Sequence, residues 1–462
     1  MTSPTRKASS LLIRDIHTLI TMDAADSQRT GGFIYCEDGA IKLVGKRPPR
    51  TLHPDRTING QFLIAVPGLI NTHHHLFQTL TRACKDAADL ELFDWLRTLY
   101  PRWARLDEDA VHVAALVGMA ELMLSGCTTT ADHHYVFPRG QANLIDAEIA
   151  AARRLGIRFH ATRGSMDVGR SRGGLPPDTV VQSQDEILAD SERLVRKYHD
   201  PRPGSMLQVA LAPCSPFTVS QGLMRATAEL AGKLQVKLHT HLAETHDEEA
   251  YCLRRFRKRP LQFLEDAGWL GDSTWIAHGI HFRPREVTRL GRACVGVAHC
   301  PTSNMRLASG IAPALALARA GCPVGLGVDG SASNDSSNLL AEARQALLLN
   351  RLAHGASALS VQQALRMATV EGARCLGRSD LGSLEPSKRA DIALFDLRDV
   401  GYSGAGDALT ALLLCAPTRV HTLVVEGRVV VENRLLTRVS LDPILARHTR
   451  LVRKITGRSP LL

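Results

Sequence analysis

From about residue 66 to 330 the chain alternates two patterns. Short apolar runs ending in polar residues occur at 65–75 (AVPGLINTHHH), 127–134 (CTTTADHH), 158–164 (RFHATRG) and 207–214 (LQVALAPC). They recur at 236–244 (VKLHTHLAE), 274–279 (TWIAHG), 295–301 (VGVAHCP) and 324–330 (VGLGVDG). Between them lie stretches of helical period such as DEDAVHVAALVGMAELMLSG, where Val111, Ala114, Ala115, Gly118 and Leu122 share a face. Strand and helix alternating eight times predict an α/β chain built as a (β/α)8 barrel over residues 66–378.

The flanks follow a different rhythm. Residues 10–64 (DGAIKLVG, RTINGQFLI) and the tail (ADIALFDL, VHTLVVEGRVVVENRLL) read as short strands with turn signals, with a helical stretch between the two tail segments. They predict a small β-sandwich domain built from both chain ends, 1–65 and 379–462, the latter including a terminal helix. No solenoid-period repeat interrupts the pattern.

Each predicted barrel strand carries its chemically reactive residues at its C-terminal end, where barrels of this kind place their active sites. In an extended strand His73 and His75 face one way and His74 the other. His239 and His241 form a second such pair, with His241 nearer the mouth and Glu244 three residues beyond. Strand six ends at His278, strand seven contains His299, and strand eight ends at Asp329. A barrel interior is otherwise filled by Val, Ile and Leu, so imidazoles and a carboxylate collected there point to a metal site suited to zinc, with iron the alternative. A bound metal lowers the pKa of its water to about 7, and Glu244 is placed to move that water's proton. The neighbouring Asp247, Glu248 and Glu249 read as solvated loop carboxylates.

Composition narrows the function classes. The formal charge of +10 is densest in RRFRKR (254–259), which lacks aromatic interleaving and any nucleic-acid module and reads as a solvated helix face. No apolar run reaches membrane-spanning length, and Arg14 and Asp15 interrupt the N-terminal apolar stretch. Ten cysteines without a C-x-x-C pair suit reduced thiols, so a cytoplasmic protein is expected, without membrane or nucleic-acid partners. Three motifs are set aside. Gly325-x-Gly327-x-x-Gly330 lies within the last strand rather than after a Rossmann strand. The H-x-E/P-C-x-x-C deaminase signature is absent, and so is a G-x-S-x-G elbow.

The motifs PGLINTHHH, HTHLAE, AHG, VAHCPTSN and GVDGSASND, standing at successive strands, resemble the amidohydrolase superfamily in its purine and triazine deaminase branch. The resemblance implies His73, His75, His241 and Asp329 as ligands of one metal ion, since LQVALAPC lacks the lysine of binuclear relatives. It implies Glu244 as acid/base, His278 orienting the attacking water, and Asp329 delivering a proton to leaving ammonia. Within the branch, LFQTLTRA, ELFDWLRTLYP, FHATRGSMDVG, GGLPPD, APCSPFTVS and SNMRLASGIAP look most like 8-oxoguanine deaminases. The implied reaction is 8-oxoguanine plus water giving urate and ammonia. Gln78 stands where guanine deaminases carry a substrate-binding glutamine, and Cys214 where they carry an arginine, a departure that favours a purine altered at its imidazole edge. Arg163 and Trp95 are further pocket candidates; Arg163 could instead pair with a carboxylate beneath the mouth. The rival readings are guanine or an alkylamino s-triazine as substrate, or a non-catalytic scaffold of the same fold. Barrels of this type commonly self-associate, so a homo-oligomer is expected.

Overall fold

The computed structural model of the protein describes residues 9–415 and 419–458. The outermost residues of the two expected end segments, 1–8 and 459–462, and the short stretch 416–418 lie outside it.

The eight apolar runs form a closed parallel barrel. Its strands are Leu69–Asn71, Cys127–Ala131, Arg158–Ser165, Leu207–Pro213, Leu238–Leu242, Thr274–His278, Gly296–His299 and Val324–Leu326, with the eighth pairing with the first. Helices fill the connections. Glu108–Leu124, between strands one and two, is buried almost all round, beyond the single face its periodicity marks. The terminal helix Leu441–Thr456 packs on it and covers the outer side.

The predicted first strand serves two sheets. Leu63–Pro67 pairs antiparallel with Ile392–Asp396 in a seven-stranded sheet, and only Leu69–Asn71 enters the barrel. The chain crosses over at Gly68, where a Cβ would lie 2.2 Å from Thr128 Oγ1, so the approach of the second strand admits no side chain. Period-two alternation then serves both layers. Leu63, Ala65, Ile392 and Leu394 face a four-stranded sheet built around Ser10–Arg14 and Phe33–Glu37, whereas Ile64, Val66, Ala393 and Phe395 join the barrel's core. The two sheets make the small β domain from both ends of the chain. All ten cysteines are free, and among the described residues no helix is long and apolar enough to cross a membrane.

Candidate metal centre

The histidine triplet follows closely on strand one. Its backbone is tied on both sides: the Asp329 amide donates to the His73 carbonyl and the His133 amide to the His74 carbonyl. Alternation therefore continues through the triplet. His73 and His75 turn into the barrel mouth, while His74 turns away and meets Ser337 Oγ at 2.9 Å.

Hydrogen bonding fixes the tautomer of each inward ring, because a carbonyl oxygen only accepts. His75 Nδ1 donates to the His133 carbonyl (2.7 Å) and His241 Nδ1 to the Cys214 carbonyl (2.7 Å). His239 lies deeper, stacked on Trp275 at 4.3 Å, and its Nδ1 donates to the Trp275 carbonyl. Its Nε2 must then accept from His73 Nδ1, 2.8 Å away. Each of His73, His75 and His241 is left with an Nε2 lone pair, and the three lone pairs converge. His75 Nε2 is 3.1 Å from His241 Nε2, and Asp329 Oδ1 is 3.4 Å from His73 Nε2 and 3.2 Å from His75 Nε2. Protonation does not relieve this crowding of acceptors: burial pushes His73 down to about 3 and His241 well below the usual histidine range. Four electron-pair donors around one gap fit a divalent cation, and three nitrogens with one oxygen suit zinc.

Asp329 and His278 both sit in the left-handed backbone region (φ 61° and 71°), sparsely populated for side-chain-bearing residues and common where function holds the chain. Asp329 Oδ2 receives the hydroxyls of Ser303 (2.6 Å) and Ser333 (3.2 Å). His278 Nδ1 meets Asn304 Oδ1 at 3.0 Å, which turns its Nε2 toward Glu244 Oε2 at 3.6 Å. Burial, and then the nearby Asp329 charge, push the Glu244 carboxyl well above its ordinary range. The solvated role expected for Glu248 is corrected: it is fully buried, and its carboxylate accepts the Ala243 and Glu244 amides at 2.8 and 2.9 Å. It lies in the first turn of helix His246–Phe256 and reaches back to hold the loop that bears Glu244. Asp247 is exposed and Glu249 half-buried.

A narrow pocket adjoins this centre. His75, His241, Glu244, His278 and Asp329 form its floor, and Gln78, Trp95, Cys214, Tyr100, Tyr135 and Phe217 its walls. Gln78 Oε1 is buried without a partner. The Trp95 indole donates to the Ala332 carbonyl, leaving its ring as an apolar wall. Arg163 is elsewhere. Its guanidinium lies over the Phe137 ring and bonds Asp190, Gln182 and the Gly164 carbonyl, so it belongs among the residues paired beneath the mouth. The reason is alternation: His160 packs inward on Trp275, so Arg163, three residues on, faces the helices.

Several residues of the site are weakly marked in the sequence. His133 stacks on His241 (4.6 Å between centroids) and bonds the Ala212 carbonyl. Its signal was present, since CTTTADHH ends on histidines as strand five does. Ser303, Asn304 and Ser333 lie inside quoted motifs, but hydroxyls and amides are too common in loops to stand out there. Tyr100 and Tyr135 carry no spacing signal at all.

A (β/α)8 barrel whose mouth gathers three imidazoles and an aspartate round one gap, beside a buried glutamate, defines a metal-dependent barrel of the hydrolase type. The chain belongs to the amidohydrolase family, which residues 64–430 match. It is 49% identical to the 8-oxoguanine deaminase of Pseudomonas aeruginosa over 94% of this chain and 97% of that protein. To the hydroxydechloroatrazine ethylaminohydrolase of Pseudomonas sp. strain ADP it is 41% identical, over 86% of this chain and 85% of that one. Among solved structures, the zinc complex of atrazine chlorohydrolase from Arthrobacter aurescens TC1 superposes with a TM-score of 0.92 at 36% identity, covering 96% of this chain and 100% of that one.

Proposed function

We propose that the protein is a cytoplasmic, mononuclear metal-dependent aminohydrolase that converts 8-oxoguanine and water to urate and ammonia. The observation that carries this reading is the convergence of three imidazole lone pairs and Asp329, with separations of 3.1–3.4 Å, at the floor of a pocket also lined by Glu244 and His278. His73, His75, His241 and Asp329 would hold the ion, which when bound supplies Lewis acidity and lowers the pKa of the attacking water.

The chain's own groups do the rest. Glu244, held by Glu248, takes a proton from water and returns it to the ring nitrogen beside the attacked carbon. His278, anchored by Asn304, orients the water. Asp329 Oδ2, between two serine hydroxyls, carries the second proton to the departing amine. Gln78 meets the ring's amide edge with its unpartnered carbonyl, and Trp95, Tyr100 and Phe217 hold the ring flat. Cys214 leaves the imidazole edge without a cation.

The 8-oxoguanine deaminase of P. aeruginosa supports this substrate, and the triazine relatives support the runner-up, an alkylamino s-triazine. Rates on 8-oxoguanine, guanine and a hydroxylated alkylamino triazine decide between them. The expected order has 8-oxoguanine fastest, and faster turnover of the triazine would overturn it.

One glycine bears on the pocket. A Cβ on Gly330 would stand 1.9 Å from Gln78 Oε1, so only glycine lets that side chain lie where it does. Gly330→Ala should lower kcat/KM by about 10- to 100-fold through Gln78, the scale of an ångström of misplacement, with bound metal unchanged. Steady-state kinetics with metal analysis check this.

A further inference from the structure

Behind the pocket lies a second group of titratable side chains with no part in the chemistry above. Asp132 and His134, just past strand two, and Glu148, on helix Leu144–Leu155, have no solvent exposure. Their bonds follow one another. Asp132 Oδ1 accepts the Leu76 amide at 2.7 Å. Glu148 Oε1 meets His134 Nδ1 at 3.0 Å, and His134 Nε2 meets the Val136 carbonyl at 2.9 Å. The remaining oxygens, Asp132 Oδ2 and Glu148 Oε2, have no other partner, and one polar atom from each of Asp132, His134 and Glu148 lies within 4.8 Å of the others, which brings the two carboxyls together.

The proton positions follow from which atoms can donate. The Val136 carbonyl only accepts, so His134 carries a proton on Nε2, and in the neutral ring that complete burial favours its Nδ1 is a lone pair. Glu148 must then donate from Oε1. Its Oε2 is left to accept, and Asp132 must donate from Oδ2 while its Oδ1 takes the Leu76 amide. Every member donates once and accepts once, and the whole is uncharged, the state that burial favours. Burial raises both carboxyls well above the carboxylate range and pushes His134 down to about 4.

Leu76 is the residue after His75 and opens the short 3-10 turn Leu76–Thr81 that carries Gln78. We propose that Asp132, Glu148 and His134 are positioning residues: a neutral hydrogen-bond chain running from the outer helix to the Leu76 amide, fixing the turn that aims Gln78 at the substrate ring. The inference rests on the reading of Gln78 as a substrate contact.

Because the chain is neutral, amides can replace its acids. Glutamine at 148 can donate to His134 and accept from Asp132, and asparagine at 132 can accept from Leu76 and donate to Glu148. Glu148→Gln and Asp132→Asn should therefore keep kcat/KM on 8-oxoguanine within about threefold of wild type. Glu148→Ala should lower it by about 10- to 100-fold, the range for partners behind a site, chiefly through KM. In a Gln78→Ala background, Glu148→Ala should cost less than about threefold, the non-additivity of residues acting through one group. Additive losses would overturn the proposal. So would a tenfold or greater loss in Glu148→Gln or Asp132→Asn, or the loss of a bound metal equivalent in either, which would make the triad a cation site. If Glu148→Ala yields no folded protein, the two amide variants decide alone: retained activity with unchanged metal upholds the proposal. Wild-type protein that turns over no ring tested sinks the functional reading and the role of Gln78 with it. Wild-type turnover with additive losses sinks only this inference.

Discussion

Replacing Glu244 by glutamine is expected to lower kcat on the best ring substrate by at least about 100-fold, the lower range for losing a positioned acid/base, with bound metal at the wild-type level. The substitution is close to isosteric. The backbone it sits on is fixed independently, because Glu248 binds the Ala243 and Glu244 amides. The contact with His278 Nε2 at 3.6 Å survives as a polar one. What glutamine cannot do is accept a proton from water and return it to the ring. No second carboxyl substitutes: Asp329 turns Oδ1 toward His73 and His75, and its Oδ2, between Ser303 and Ser333, is the oxygen proposed for the second proton, the one delivered to the amine. Saturating-substrate kinetics with metal analysis on the same preparation make the check. Near wild-type turnover with metal retained would remove Glu244 from the mechanism.

The architecture was legible because two periods carried it. Eight apolar runs ending in polar residues name the eight barrel strands, and period-two alternation places His73 and His75 on one side and His74 on the other without further information. The same rule, applied to RFHATRG, separates His160 from Arg163 by an odd number of residues and sends the arginine to the helix layer, where Asp190 meets it.

Other features depend on distances that no local pattern encodes. AVPGLIN reads as one continuous run, yet it is divided at Gly68 because Thr128, sixty residues on, occupies the space a side chain would need. Glu248 looks like its acidic neighbours in HDEE, and only the fold shows that its place in the helix turns it back onto two amides. Glu148 sits in a helix of ordinary amphipathic sequence. Its meeting with Asp132 and His134 arises from the packing of that helix against strand two's exit, which composition does not mark.

The triplet at 73–75 yields the other large effect, a contrast between adjacent residues. His73→Ala should leave less than about a tenth of an equivalent of metal per chain after dialysis, because even partners behind a ligand cost 10- to 100-fold in affinity and this change removes an electron pair from the gap itself. Its loss also leaves His239 Nε2 without the donor it faces at 2.8 Å. His74→Ala removes a side chain of similar burial that bonds Ser337 Oγ on the far side. It should lower stability by about 1–3 kcal/mol, the cost of a lost buried hydrogen bond, and keep close to one equivalent of metal. Thermal unfolding and metal analysis of the two proteins side by side separate the effects. If His74→Ala emptied the site as His73→Ala does, the alternation that divides three consecutive histidines into two ligands and a spacer would not be what governs metal binding.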